Sequence, residues 1–325
     1  MKLIVQIPCF NEAETLAQTV ADIPRVIPGL DTVELLIIDD GSTDNTIDVA
    51  REVGVDHIVR HKRNRGLARS FRTGLDACLS LGADIIVNTD GDNQYCGQDI
   101  PELVRPILEG RADLVLGDRR TDTLDHFSPL KKKLQRFGSF AVRQLSDTEV
   151  PDAVSGFRAF SRDAALQLNI VSSFSYTIET VIQAGKKHMA IACVPVRTNP
   201  KTRDSRLFKS IPKFLERSAT TMIRMYSMYQ PLRFFVYMGV IMMFIGLVPV
   251  IRFLIEFFLS DGGGHIQSLI LGGALIVMGV VTFLIGLVSD LINFNRQLIE
   301  ITLEKVRRIE LNQIREQKEN KKTHV

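Results

Sequence analysis

Residues 33–42 read VELLIIDDGS and residues 85–95 read IIVNTDGDNQY. Each is a short aliphatic run that stops abruptly on acids and a glycine. Such a run, bounded by turn residues, predicts a strand followed by a loop. Working outward, further strands are predicted at Lys2–Ile7, His57–Arg60 and Leu114–Gly117. Helical stretches separate them at Glu14–Arg25, Thr43–Glu52, Gly66–Leu81 and Ile100–Glu109. Strands alternating with helices predict an α/β fold with a mostly parallel sheet flanked by helices. Such sheets bind ligands beyond the C-terminal ends of their strands, near a topological switch point. Asp39-Asp40 and Asp90-Gly91-Asp92 directly follow strands and are expected at that edge.

The 325 residues suffice for one large domain plus appendages. Residues 121–209 are less regular. They hold a basic stretch (Lys131–Lys133, Arg136, Arg143) and a further predicted strand, Ala190–Arg197. In Ile211–Tyr229 apolar residues recur every three or four positions, with Lys213, Glu216, Arg217 and Arg224 opposite, which predicts an amphipathic helix; it can pack on the α/β domain, but its place just before an apolar segment favours a membrane surface.

Two later runs can cross a bilayer. Phe234–Val250 carries no charge, and Leu269–Val288 is 20 residues without one, enough to span roughly 30 Å as a helix. Arg252 and Glu256 interrupt the end of the first run at a spacing that lets them pair. The loop Ser260–Gln267 lacks Lys and Arg, whereas residues 200–233 hold eight of them against two acids. By the positive-inside rule both termini and the α/β domain are cytosolic, at the inner or plasma membrane in a bacterium. The expected organisation is a catalytic domain over 1–209, a juxtamembrane helix over 210–230, two transmembrane helices within 231–292 (about 233–259 and 267–290), and a charged cytosolic helix or tail over 293–325. Spans of this kind can pack between subunits, so a homo-oligomer is compatible.

A net charge of +3 argues against a dedicated nucleic-acid binder. The four cysteines, Cys9, Cys78, Cys96 and Cys193, form no CxxC pair and suggest neither a zinc site nor a disulfide framework. Motifs of dinucleotide-binding enzymes, P-loop NTPases and serine hydrolases are absent. Asp90 and Asp92, one residue apart after a strand, can converge on a divalent cation. Hard oxygen ligands suit Mg²⁺ or Mn²⁺, and such sites usually also hold substrate phosphates. Gln94 can add an amide oxygen. Two acidic loops on one edge repel each other unless a cation or hydrogen-bond donors, such as those of a nucleoside, lie between them.

Six motifs in order carry a resemblance: IPCFNEAETL at Ile7–Leu16, IDDGSTDNT at Ile38–Thr46, RNRGLARSFRTGL at Arg63–Leu75, DGDNQY at Asp90–Tyr95, GDR at Gly117–Arg119 and SGFRAFSR at Ser155–Arg162. The chain resembles family-2 glycosyltransferases of GT-A fold, in the branch of the dolichyl- and polyprenyl-phosphate glycosyltransferases, from about residue 3 to residue 210. The resemblance implies that Pro8, Phe10, Asn11 and Glu12 lie against a donor nucleoside whose base donates to Asp39, with Asp40 and Ser42 in the same loop. It implies Asp90 by the sugar-nucleotide, Asp92 and Gln94 on the metal, and Arg119 near the diphosphate. Ser155, Gly156, Phe157 and Arg158 would shape the acceptor side. The family often has Tyr at the position of Phe10 and Ala at that of Gly91. From the residues alone, Glu12 or Glu14 can instead cap the following helix, Arg158 can pair with Asp152 or Glu179, and His61 and His188 read as surface residues.

A nucleoside diphosphate leaving group carries dense charge that a metal on Asp92 and Gln94 would stabilise. The resemblance leaves three readings. The first is transfer of one sugar onto polyprenyl phosphate with inversion. The phosphate is largely ionised, with a second pKa of about 6, and needs cations rather than a base. Arg203, Ser205 and Arg206, just before the amphipathic helix, are the expected acceptor-phosphate ligands; they resemble the family's Arg-containing loop that ends in Ser-Lys. The second is a membrane glycosyltransferase with a hydroxyl acceptor, for which Asp92 or Asp152 would be the base. Its polysaccharide-synthase branch is marked by QxxRW, and this chain has no Trp. The third is a non-catalytic membrane-tethered scaffold.

Overall fold

A computed structural model describes residues 1–120, 140, 142–171, 176–200, 211–259 and 266–323; at 211–215, 217, 218 and 318–323 it describes the backbone alone. The chain divides into two compact units, Met1–Met222 with Thr302–Val325, and Ile223–Ile301.

The first unit is built on a seven-stranded sheet in the order β3-β2-β1-β4-β6-β5-β7. Its strands are β1 (Lys2–Cys9), β2 (Thr32–Asp39), β3 (His57–Arg60), β4 (Ile85–Asn88), β5 (Leu114–Asp118), β6 (Arg158–Ser161) and β7 (Ile191–Pro195). β6 runs antiparallel to both β4 and β5, and every other pairing is parallel. The α/β class and the five strands expected before residue 120 are as the sequence implies. β6 is a strand that the sequence did not mark. It is four residues long and begins with an arginine, yet Arg158, Ala159 and Phe160 are all fully buried. Two helices also lie in the stretch that reads as irregular, α5 (Arg162–Gln167) and α6 (Tyr176–Lys186).

Side chains alternate across the sheet with the two-residue period of a strand. Leu3, Val5, Ile7, Leu35, Ile37, Ile85 and Val87 join one apolar core with Leu16 and Val20 of α1 (Leu16–Ala21) and Leu103 and Val104 of α4 (Ile100–Leu108). The opposite face meets α3 (Leu67–Ser80), where Phe71 stacks on Tyr176 at 3.8 Å between centroids. α1 is shorter than its pattern suggested: Thr15 is its N-cap, and Pro24 disfavours helical geometry at Ile23. α2 (Thr46–Glu52) completes the elements before β3. α7 (Ile211–Tyr229) has the bounds that its periodicity predicted.

The second unit contains the end of α7, all of α8 (Pro231–Leu259) and the first part of α9 (Ile266–Thr323). Both are long and apolar enough to cross a membrane, each holding an 18-residue stretch of mean hydropathy 2.5, and their apolar side chains are largely exposed. Within this unit the helices meet through glycines. A Cβ on Gly239 would lie 2.8 Å from the Gly279 carbonyl, and one on Gly246 would lie 2.8 Å from that of Gly272. Small residues that let backbones approach are a usual way to pack membrane helices. Arg252 and Glu256 form the expected pair at 3.1 Å. α9 continues as helix through the charged stretch that sequence left as either helix or tail. In the first unit its Arg307 donates to the carbonyls of Leu166 and Leu168, and Arg308 pairs with Asp163 at 2.8 Å.

Gly74 sets how closely α3 approaches the sheet: a Cβ there would collide with Gln6 Oε1 and lie 2.8 Å from Ile38 Cδ1. Gly74→Val should therefore lower stability by about 1–3 kcal/mol through overpacking, read as a lower thermal midpoint. An unchanged midpoint would show that α3 can retreat at no cost.

Candidate active site

Strand direction decides which loops can meet. β1, β2, β4 and β5 end on one edge of the sheet, and antiparallel β6 starts there. The edge therefore collects Phe10–Glu12 after β1, Asp39–Ser42 at the end of β2, Asp90–Gln94 after β4, Arg119 after β5, and Ser155–Arg158 at the entry to β6. β1 has β2 on one side and β4 on the other, so the chain reverses its order of strands at this point.

The β1 and β2 loops interlock. The Asn11 amide donates to Ser42 Oγ at 2.9 Å, and the Thr43 amide donates back to Asn11 Oδ1 at 2.8 Å. Asn11 has a left-handed φ of 57°, a conformation that Asn tolerates better than most residues. The Glu12 amide donates to Thr46 Oγ1 at 2.9 Å. The Thr15 hydroxyl reaches the Gly91 carbonyl at 2.8 Å and the Glu12 carboxylate at 3.3 Å. The N-cap of α1 is Thr15, which makes no side-chain cap. Glu12 faces the cleft, where its charge acts on Asp90.

Asp39 is fully buried. Its Oδ1 accepts from the Ser42 amide at 3.1 Å. Its Oδ2 accepts no hydrogen bond among the described residues, although Arg60 Nε lies 3.2 Å away. An orphaned buried acceptor is rare and costly, and a nucleobase N–H is the kind of donor that would satisfy it. Asp40 anchors the neighbouring loop. Its carboxylate accepts from the amides of Arg65 at 2.9 Å and Gly66 at 2.8 Å, and lies 2.7 Å from His61 Nδ1. His61 is thus buried, contrary to its reading as a surface residue, while His188 is exposed. Gly41 is required in this turn: φ is +75°, and a Cβ would sit 2.6 Å from the Arg63 backbone.

Asp90 and Asp92 occupy the loop after β4. Burial in the cleft and the neighbouring Asp92 charge push the Asp90 pKa up to about 7; Glu12 adds to this, and Arg119 and Arg158 oppose it. A Cβ on Gly91 would lie 2.9 Å from Cys9 Sγ, so packing in this chain suits glycine at this position. Asp90, Asp92 and Gln94 offer hard oxygens to a cation. Among the described residues no group of three or more His, Cys, Asp or Glu is gathered to hold a metal. The donor set fits a Mg²⁺ or Mn²⁺ whose remaining ligands are phosphates and water, the habit of such ions at nucleotide sites.

The far wall is made by β5 and β6. Arg119 binds Asp152 bidentately, at 2.7 and 3.0 Å, and holds that carboxyl below its usual range against the opposing effect of burial. Arg158 pairs with neither Asp152 nor Glu179. It donates to the carbonyls of Ser155, Thr177 and Ala153 at 2.7–2.8 Å and to Thr180 Oγ1. Burial pulls its pKa down to about 10. Glu179 accepts from the Val171 amide instead. A Cβ on Gly156 would lie 3.0 Å from Asp90 Oδ2, so the Ser155–Arg158 turn closes directly on the acidic loop. Ser155 Oγ is buried without a hydrogen-bond partner among the described residues. Phe157 packs on Tyr95 at 5.1 Å. Sequence reasoning passed over Tyr95, Asn88 and Tyr176, which link these loops: Tyr95 OH accepts from the Gly156 amide at 2.9 Å, and Asn88 donates to the Gly156 carbonyl and to Tyr176 OH at 2.9 and 2.8 Å. Arg203, Ser205 and Arg206 lie outside the described residues. The four cysteines are free thiols.

Comparison with known proteins gives a family and a fold. Residues 4–168 match the family model described as glycosyl transferase family 2. A Methanococcus voltae protein named UDP-N-acetylglucosamine–dolichyl-phosphate N-acetylglucosaminyltransferase is 30% identical over 213 residues, 59% of this chain and 83% of that protein. The undecaprenyl-phosphate mannosyltransferase of Micrococcus luteus is 25% identical over 206 residues, 60% and 83% of the two chains. Among solved structures, glucosyl-3-phosphoglycerate synthase of Mycobacterium tuberculosis, in complex with Mn²⁺, UDP and glucosyl-3-phosphoglycerate, superposes with TM-score 0.54 at 21% identity over 70% of this chain and 79% of that one, which shows a shared fold.

The raised pKa of Asp90 makes a signed prediction. A folded-state value above the unfolded one of about 3.9 means that charging this carboxyl opposes folding. The penalty starts as pH rises above the unfolded value and is complete above a folded value of about 7. In metal-free protein, Asp90→Asn should raise the thermal midpoint at pH 7.5 and leave it unchanged at pH 4. A midpoint lowered at pH 7.5 would contradict the geometry.

Proposed function

The chain belongs to glycosyl transferase family 2, and we propose that it transfers a single sugar from a nucleotide-diphosphate donor to the phosphate of a polyprenyl lipid. The donor is a UDP- or GDP-linked hexose or N-acetylhexosamine, the acceptor undecaprenyl or dolichyl phosphate, and the anomeric configuration is inverted. The reaction takes place at the cytosolic face of a membrane, held there by two apolar helices. The observation that carries this reading is the convergence of Asp39, Asp90, Asp92 and the Ser155–Arg158 turn on one sheet edge, with one oxygen of Asp39 left without a hydrogen-bond donor. The names of the relatives supply the acceptor class.

In this reading Pro8, Phe10, Asn11 and Glu12 form the nucleoside wall, and Asp39 accepts from the base. The Asn11–Ser42 interlock holds that wall rigid, which limits the ordering cost of binding. Asp92 and Gln94, with Asp90 beside them, would hold a Mg²⁺ or Mn²⁺, which supplies charge neutralisation for the departing diphosphate. Arg119 adds positive charge near the diphosphate, its plane fixed by Asp152. The acceptor phosphate attacks as an anion and needs positioning by cations rather than deprotonation. Arg203 and Arg206, with Ser205, serve that purpose. The alternative with a hydroxyl acceptor requires a carboxylate base. Asp152 is poorly suited to that role, because Arg119 makes its carboxylate weakly basic.

Two tests follow. Asp92→Ala, or EDTA added to the intact protein, should cut transfer by orders of magnitude, because several kcal/mol of leaving-group stabilisation are lost. Full activity in EDTA contradicts the metal assignment. Arg203→Ala and Arg206→Ala should each weaken use of polyprenyl phosphate by roughly 10- to 150-fold, from charge-assisted hydrogen bonds of about 1.5–3 kcal/mol, with donor affinity nearly unchanged. Normal acceptor kinetics in detergent for both variants place the phosphate elsewhere.

A further inference from the structure

After β7 the chain does not turn away from the sheet edge. It crosses the back of the loop that carries Asp90, Asp92 and Gln94. Arg197 binds Asp99 through its amide at 2.6 Å and its side chain at 2.5–2.9 Å. Its carbonyl accepts from the Cys96 amide at 3.3 Å, and Thr198 forms an antiparallel bridge with Tyr95. Asn199 comes next and grips three consecutive carbonyls of the acidic loop. Its amide N–H donates to Gln94 O at 2.9 Å, and its side-chain Nδ2 lies 3.1 Å from Asn93 O and 3.4 Å from Tyr95 O. The same Nδ2 is 3.3 Å from Asn93 Oδ1.

Local chemistry explains why this residue pair suits the crossing. Pro200 follows Asn199 and disfavours helical geometry there, which keeps the run extended. Asn93 stands between the two expected metal ligands with a left-handed φ of 55° and is nearly fully buried. A left-handed residue at that place fixes the directions in which its neighbours Asp92 and Gln94 project. Its carbonyl needs a donor, because an unpaired buried carbonyl costs free energy. A peptide that rotated at residues 93–95 would have to break bonds to Asn199.

We propose that Asn199 is a positioning residue for the divalent cation: by holding the carbonyls of Asn93, Gln94 and Tyr95 it fixes the angle at which Asp92 and Gln94 present their oxygens. The inference rests on the metal reading given above. Asn199 itself offers its donor nitrogen to the loop and ligates nothing. Groups that orient metal ligands are typically worth about 10- to 100-fold in metal affinity.

The test uses the full chain in detergent, with Mn²⁺ alone as the probe and its binding read by electron paramagnetic resonance. Asn199→Ala should weaken Mn²⁺ binding about 10- to 100-fold. The Mn²⁺ concentration for half-maximal transfer should rise in parallel, while kcat at saturating Mn²⁺ stays near that of the unaltered protein. Asn199→Asp keeps the side-chain volume but turns an acceptor toward the carbonyls, and it carries the test if the alanine variant does not accumulate. A general packing defect would lower kcat at every Mn²⁺ concentration and leave Mn²⁺ affinity unchanged; that pattern, or unaltered binding in a folded variant, overturns the proposal. If the unaltered protein neither binds nor needs Mn²⁺, the metal reading itself fails, a result distinguishable from failure at Asn199.

Discussion

The guanidinium of Arg158 is buried at the first residue of β6 and is carried by neutral acceptors. Three carbonyls and a hydroxyl surround it, with the Tyr176 ring 5.9 Å away. Burying a charge is expensive, and taking away one of its partners leaves the cost uncompensated. The chain therefore has little freedom around it. The carbonyls of Ala153 and Ser155 must turn inward, which shapes the loop that closes on Asp90. Thr177 and Thr180 must present their oxygens from α6, which fixes that helix against the sheet. β6 must enter between β4 and β5 in the antiparallel sense, so that its beginning lies where the six parallel strands end.

The positive charge of Arg158 also stands behind a cleft crowded with carboxylates. Asp90 is destabilised by Asp92 and Glu12 and relieved by Arg119 and Arg158. The arginines reduce the mutual repulsion without removing it. Asp39 adds a buried oxygen that lacks a hydrogen bond. Local rules broken in this way are expected at functional sites, where a ligand restores what the fold leaves unsatisfied. In the function proposed above, a cation with a nucleoside diphosphate would answer both deficits, the charge at Asp90 and Asp92 and the missing donor at Asp39.

The sequence was most legible where a single element declares itself. Aliphatic runs located the strands up to residue 120, and charge-free runs located the two long apolar helices. The acidic loops could be assigned to one edge because strand ends follow from chain order in a parallel sheet. β6 was not legible, since a four-residue strand that starts with arginine matches no apolar pattern until the acceptors of that arginine are known. His61 failed for a related reason: its burial comes from Asp40 and Thr73, 21 and 12 residues away. Pairing of Arg158 with Asp152 or Glu179 was one of its two readings, and no pattern in the chain marks Asp152 as the partner of Arg119. Asn199 carried one faint signal, an Asn-Pro pair after a strand, whose meaning depends on which loop it crosses.

The account turns on the chemistry of the acceptor, and product analysis tests it most directly. Membranes containing the protein would be given radiolabelled UDP- or GDP-sugars, undecaprenyl or dolichyl phosphate and Mn²⁺, and the label followed into the lipid extract. The account predicts one sugar per lipid phosphate, with one nucleoside diphosphate released for each sugar moved. Label accumulating in a polymer, or more than one sugar joined in series to the lipid, would contradict it.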